Sequence, residues 1–129
     1  MDQLDTSKRI RVLAMDGSTV VLEAICRFLR TKGVVVAHVV RDGAELMERA
    51  QILRPDLVLL DISRVDMDAP ERVVQLRSLL PDARIIAFSV YELLMTRIMF
   101  LQAGADSVIQ GEQLPERVLA EIRKLFPDK

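Results

Sequence analysis

Three polar side chains end apolar runs of this sequence, and their types suit a site that handles a charged group. Asp61 ends LVLLD, the most hydrophobic run, while Asp16 and Ser89 end two others. A buried carboxylate is costly unless something pairs with it, and two neighbouring carboxylates repel unless a proton or cation lies between them. Carboxylate, carbonyl and water oxygens suit Mg²⁺. Such a pocket, with a hydroxyl beside it, can accept and hold a phosphoryl group. From spacing alone, the alternative that these acids are solvated loop starters or helix caps stays open.

The apolar runs predict five strands, each followed by a helix. The strand segments are RIRVLAM, VVVAHVV, DLVLLD, ARIIAFS and DSVIQ. We expect the first helix to end at Gly33, the second before Pro55, and the third to begin around Asp68 and Pro70. This alternation predicts an α/β fold, a doubly wound open five-stranded parallel sheet with helices on both faces.

Ligands of such sheets bind at the carboxyl ends of the strands. The residues that end strands therefore become the candidates for a functional site. They are Asp16, Asp61, Ser89 and Gln110.

Length and charge narrow the class of protein. The 129 residues make one domain, with a polar tail over residues 1–8 and the folded domain over 9–127. Eighteen basic against nineteen acidic residues give a net charge of -1, which does not favour direct nucleic-acid binding. No apolar run approaches the ~20 residues of a membrane helix, and the N-terminus lacks a signal-peptide pattern. We therefore expect a cytoplasmic protein that does not contact a membrane.

Four motifs resemble the receiver domain of bacterial two-component response regulators, the CheY-like fold. These motifs are VLAMDGS, LVLLDISRVDMDA, IIAFS and the GAD turn at Gly104–Asp106. The resemblance extends from about Arg9 to Phe126, and the stretch GADSVIQGEQLPERVLAEIRKL is most similar to receivers of the NarL subfamily. It implies a flavodoxin-like, CheY-like sheet with strand order 2-1-3-4-5.

The resemblance also implies a role for each matching position. Asp61 matches the aspartate that accepts a phosphoryl group from a histidine kinase or phosphotransfer protein. Asp16, Asp61 and the backbone carbonyl of Ser63 match the Mg²⁺ ligands, and Ser89 matches the switch hydroxyl. The protein is then a signalling module, not an enzyme.

Three pocket positions depart from the family pattern. Gly17 replaces the second acid of the metal pair, Gly111 replaces a lysine, and Val108 replaces the switch aromatic. We expect weak Mg²⁺ binding, because one hard oxygen ligand is missing. The two glycines remove one negative and one positive charge, so the side-chain charge of the pocket is unchanged. Arg64 is interpreted as a solvated loop residue in preference to a substitute cation.

The predicted fourth helix, within YELLMTRIMFLQAG, is apolar nearly all round, which indicates that part of it faces solvent or a partner. Met95 and Met99, one turn apart, are the predicted outward residues. Leu94, Ile98 and Leu101 are predicted to face inward, and Leu93 and Phe100 are left open. We expect a homodimer or another protein contact through this helix, which borders the face formed with the fifth strand and fifth helix.

Two alternatives to a phosphorylated receiver remain at this point. The first is a degenerate pseudo-receiver that acts as a phosphorylation-independent interaction or dimerisation module. The second is a flavodoxin-like domain that binds a small ligand, which the 4% aromatic content disfavours. The lone His38 is interpreted as a surface or packing residue and Cys26 as a buried structural thiol.

Overall fold

The computed structural model describes residues 9–15, 20–63 and 69–127. The strands are β1 (Arg11–Met15), β2 (Val35–Val40), β3 (Leu57–Asp61), β4 (Arg84–Ser89) and β5 (Ser107–Gln110). The helices are α1 (Val20–Thr31), α2 (Gly43–Leu53), α3 (Ala69–Leu79), α4 (Leu94–Ala103) and α5 (Leu114–Leu125). Every predicted strand is present and begins one or two residues after the first residue of its predicted segment. Asp68, the predicted start of the third helix, lies outside the described residues.

All five strands pair in parallel in the order β2-β1-β3-β4-β5, which confirms the predicted sheet. The strand β3 lies at the centre, and all five of its residues are buried. The edge strand β2 carries the half-buried His38, and its Nε2 lies 3.7 Å from Glu45 Oε2. The chain order reverses between β1 and β3, which places the switch point beside Asp61.

Two hydrophobic layers enclose the sheet, because successive strand residues point to opposite faces. Val12 and Ala14 of β1 pack with the buried faces of α1 and α5, and Cys26 is buried in this layer. Leu13, between them, packs in the opposite layer, which holds the buried residues of α2, α3 and α4. The helices therefore cover both faces, as predicted.

The predicted helix ends are also confirmed. Gly33 has φ +84° and follows α1, and the Val34 amide donates to the Leu29 carbonyl at 3.1 Å. The helix α2 ends at Leu53, before Pro55, as predicted. Its start is capped by Asp42, whose Oδ1 accepts from the Glu45 amide at 2.8 Å.

The predicted inward face of the fourth helix is wrong. Leu94, Ile98 and Leu101 are 70%, 36% and 41% exposed, whereas Phe100 is 4% exposed and is the buried residue of α4. The half-buried residues one turn away from Phe100 include the polar Thr96 and Arg97. A helix that is apolar on every side gives no periodic signal for its inward face, and hydropathy does not mark two polar residues as facing the sheet.

Candidate phosphorylation site at the carboxyl edge of the sheet

Asp61 lies at the carboxyl end of β3, buried between two neighbouring strands. The strand β3 is continuously apolar before this residue, so it packs under both helical layers and brings the carboxylate into the sheet edge. Asp61 aligns with Phe88 of β4, and its Oδ1 accepts a hydrogen bond from the Ser63 amide at 2.9 Å. This bond holds the carboxylate against the turn that follows the strand.

The predicted metal ligands are only partly within the described residues. On β1, Met15 aligns with Leu60 of β3, and the residues that follow it, Asp16 and Gly17, lie outside the described residues, as does Arg64. Within the described part of the chain, no group of three or more His, Cys, Asp or Glu side chains could hold a metal ion. Asp61 and the Ser63 carbonyl would supply hard oxygen donors, which suit Mg²⁺, and the sequence adds Asp16 as the remaining acid.

Two buried hydroxyl groups flank Asp61, and both contact the loop that follows β4. Ser89 Oγ accepts from the Tyr91 amide at 3.0 Å, and Ser63 Oγ accepts from the Val90 amide at 3.4 Å. A serine hydroxyl has one donor hydrogen and two acceptor lone pairs. Ser89 can therefore donate to a phosphoryl oxygen while it keeps the loop contact.

Gly111 follows β5 with φ +101°, a conformation that L side chains rarely adopt. Its amide donates to the Ser89 carbonyl at 2.9 Å. A Cβ at this position would lie 2.7 Å from Oε1 of Glu92. At this position, where the resemblance implies a lysine, the backbone conformation disfavours a side chain, and the exposed Glu92 carboxylate would have to turn aside to admit one.

Val108 is buried beside Ala87 of β4, in the layer that includes Phe100. Its side chain has no ring and no polar group. The position that carries the switch aromatic in the resembling family is here a fixed part of the core.

Gln110 and Arg117 hold the end of β5. Sequence reasoning named Gln110 as a candidate without a specific role and did not name Arg117. Gln110 is buried, and its Nε2 donates to the Leu93 carbonyl at 3.0 Å. Arg117 Nη1 donates to the carbonyls of Gln110 at 2.6 Å and Glu112 at 3.1 Å. The signal for Gln110 was present, since a polar residue ends an apolar strand, but nothing in the sequence named its partner.

Comparisons with known proteins show the family to which the chain belongs. Residues 12–123 match the family model described as the response regulator receiver domain. The chain belongs to the response regulator receiver family. It is 34% identical over 117 residues to the response regulator MprA of Mycobacterium leprae, covering 91% of this chain and 51% of that protein. It is 33% identical over 116 residues to the transcriptional regulatory protein PrrA of Mycobacterium tuberculosis, covering 90% and 49%.

Solved receiver structures share the fold. A CheY-like receiver from Methanospirillum hungatei superimposes with a TM-score of 0.79 at 25% identity, covering 93% of this chain and 95% of that one. The receiver of the NarL regulator from Mycobacterium tuberculosis gives 0.80 at 22% identity, covering 94% and 98%. The chain spans about half the length of the curated relatives it matches.

Receivers are in general signalling modules without enzymatic activity; they typically bind Mg²⁺ at the phosphorylation site and interact with histidine kinases or phosphotransfer proteins. In the described part of this receiver, no helix is long and apolar enough to cross a membrane. The family assignment replaces the flavodoxin-like ligand-binding alternative.

Proposed function

We propose that this receiver accepts a phosphoryl group on Asp61 from a histidine kinase or phosphotransfer protein in the cytoplasm. The observation that carries the proposal is the buried Asp61 carboxylate at the switch point, flanked by Ser63 and Ser89. A carboxylate oxygen attacks phosphorus, the bond from phosphorus to the donor histidine nitrogen breaks, and that nitrogen takes up a proton. Asp61 becomes an acyl phosphate.

Within this proposal, Asp16, Asp61 and the Ser63 carbonyl hold Mg²⁺ weakly. When bound, the ion offsets the negative charge that gathers between the carboxylate and the phosphoryl oxygens. Ser89 donates a hydrogen bond to a phosphoryl oxygen. Because Gly111 has no side chain, the charge-assisted contact that a lysine at this position would make to the phosphoryl group is lost.

Intact-mass analysis tests phosphorylation directly. The protein is incubated with Mg²⁺ and acetyl phosphate, and the expected result is the addition of one phosphoryl group that Asp61→Ala does not acquire. A matched control, Asp56→Ala, removes a carboxylate at the opposite end of the same strand and keeps the modification. An unmodified parent protein, or equal modification of Asp61→Ala, would contradict the proposal.

A second candidate function, contact with a protein partner through α4 without phosphorylation, is favoured by the surface of that helix. Met95 and Met99 are 65% and 47% exposed, as predicted. Leu93 and Leu94 are also exposed beside them. A contiguous apolar surface of this kind is typical of interaction sites.

A groove next to this surface extends it across β5 to α5. It has a volume of about 430 Å³, and its apolar lining includes Leu101, Val108 and Ala120. Arg97, Arg117 and Glu121 also line the groove, so its lining mixes apolar side chains with charges of both signs. We infer that the α4-β5-α5 face binds a second copy of this chain or another protein, and that it does so whether or not Asp61 is phosphorylated.

A further inference from the structure

The loop between β4 and α4 is held by its backbone and not by its side chains. All four of its residues, 90–93, are exposed. Three buried polar side chains reach this backbone from the carboxyl ends of three strands: Ser63 to the Val90 amide, Ser89 to the Tyr91 amide, and Gln110 to the Leu93 carbonyl. The loop is thus fixed to the same sheet edge that carries Asp61.

The contact made by Gln110 differs from the other two because it reaches the start of α4. The Leu93 carbonyl also accepts from the Arg97 amide at 3.1 Å, which is the first helical hydrogen bond. Leu93 provides no side-chain cap. Among the described residues, no other side chain forms a hydrogen bond with the first turn of α4. Gln110 therefore contacts the carbonyl at which the helix begins.

The rest of α4 provides little to hold it in place. Phe100, in the second half of the helix, is its one buried side chain, and in the first half only Thr96 and Arg97 are half-buried. An element with few buried contacts opens locally at low cost. The position of the first half of α4, which carries Leu94 and Met95, thus depends strongly on the Gln110 contact.

We propose that Gln110 is a positioning residue that holds the start of α4 against the sheet, so that the α4 surface keeps one position whatever the state of Asp61. An amide does not titrate, and Val108 supplies no ring that could move the helix. Ser89 can bind a phosphoryl oxygen without releasing the loop. The biological meaning of this inference rests on the proposed protein contact through α4. The dependence of the position of α4 on Gln110 does not require that contact.

Amide hydrogen exchange of the unphosphorylated protein tests the inference. Gln110→Leu removes the donor and keeps the side-chain bulk, and exchange in residues 97–99, the first amides with helical hydrogen bonds, should rise roughly five- to tenfold. Exchange in β1 and β3 should change much less. Gln75→Leu, the same substitution at an exposed position on α3, should leave α4 unchanged. If Gln110→Leu folds poorly, Gln110→Glu keeps the shape, removes the donor and should produce the same local change.

Unchanged exchange in α4, or a rise spread equally over the whole chain, would overturn the inference. A second experiment measures amide shifts before and after treatment with acetyl phosphate and Mg²⁺. The amide shifts of α4 should respond to phosphorylation in Gln110→Leu more than in the parent protein, and an equal response would also count against the inference. Since exchange is measured without a phosphodonor, failure of Asp61 to react would disprove only the proposed phosphorylation.

Discussion

The sheet edge around Asp61 and the outer surface of α4 are built in opposite ways. At the edge, buried polar side chains such as Ser63, Ser89 and Gln110 each bind a backbone group. On α4, apolar side chains such as Leu94 and Met95 are exposed. Burying a polar group costs free energy unless the group is hydrogen-bonded. An exposed apolar side chain stabilises a structure only when another surface covers it. In the described residues, the polar groups of the first region are thus paired within the chain, while the apolar side chains of the second face solvent.

Two of the three departures from the family pattern lie where these regions meet. Val108 belongs to β5 and Gly111 to the turn after it, at the border between the Asp61 edge and the α4-β5-α5 face. Val108 has neither a ring nor a polar group, and Gly111 has no side chain. Neither residue therefore offers a group that could reorient in response to phosphorylation of Asp61. In the described structure, the loop between the two regions is held by hydrogen bonds from the buried Ser63, Ser89 and Gln110 side chains to its backbone.

The largest expected effect concerns the one buried side chain of α4. Phe100→Ala should lower the free energy of unfolding by about 3 kcal/mol, because it removes a buried ring and leaves a cavity. Urea unfolding followed by circular dichroism measures the change. If the loss is under about 1 kcal/mol, the Phe100 ring is not buried as described, and a different face of α4 must point to solvent.

A contrasting result is expected from the outward residues of the same helix. The double variant Met95→Lys, Met99→Lys should change stability by less than about 1 kcal/mol, because both side chains face solvent. It should abolish association in sedimentation or light scattering, since two charges would have to enter the apolar contact.

Ile52→Lys and Val74→Lys, at exposed apolar positions of α2 and α3, are the matched controls and should leave association unchanged. Unfolding of the double methionine variant would mean that both residues belong to the core. Association that persists in a folded double variant would place the interface elsewhere.

A smaller effect is expected when the family lysine is restored. Gly111→Lys should cost about 1–2 kcal/mol of stability, because the backbone there has positive φ. Gly33→Lys is the control, since Gly33 also has positive φ but no atom within 4 Å of an added Cβ. We expect similar costs, because the exposed Glu92 carboxylate can turn aside and pair with the new cation. A neutral or stabilising Gly111→Lys would contradict the described backbone.

The smallest effect concerns the metal. Gly17→Asp should tighten Mg²⁺ binding roughly tenfold, because it adds one hard carboxylate ligand. Calorimetric titration of the parent and the variant gives the comparison, with Asp61→Ala expected to bind more weakly than either. If Gly17→Asp binds no better than the parent protein, the missing acid does not explain weak binding.

The sequence predicted the sheet well because continuous apolar runs and the residues that end them are local signals. Asp61 and Ser89 could be placed at one edge from the parallel order alone. The orientation of α4 could not be predicted, since a helix that is apolar on all sides has no preferred face and Phe100 competes with its neighbours. The hydrogen bond from Gln110 to Leu93 could not be predicted either, because two partners seventeen residues apart produce no spacing pattern in the sequence.

The most direct test of the account compares amide shifts of the resting protein with those after treatment with acetyl phosphate and Mg²⁺, using Asp61→Asn as the unreactive control. The account predicts changes near Asp61, Ser63 and Ser89, with α4 and β5 nearly unchanged. Widespread shifts across residues 94–110 that Asp61→Asn does not show would contradict it, because the two regions would then be coupled by phosphorylation.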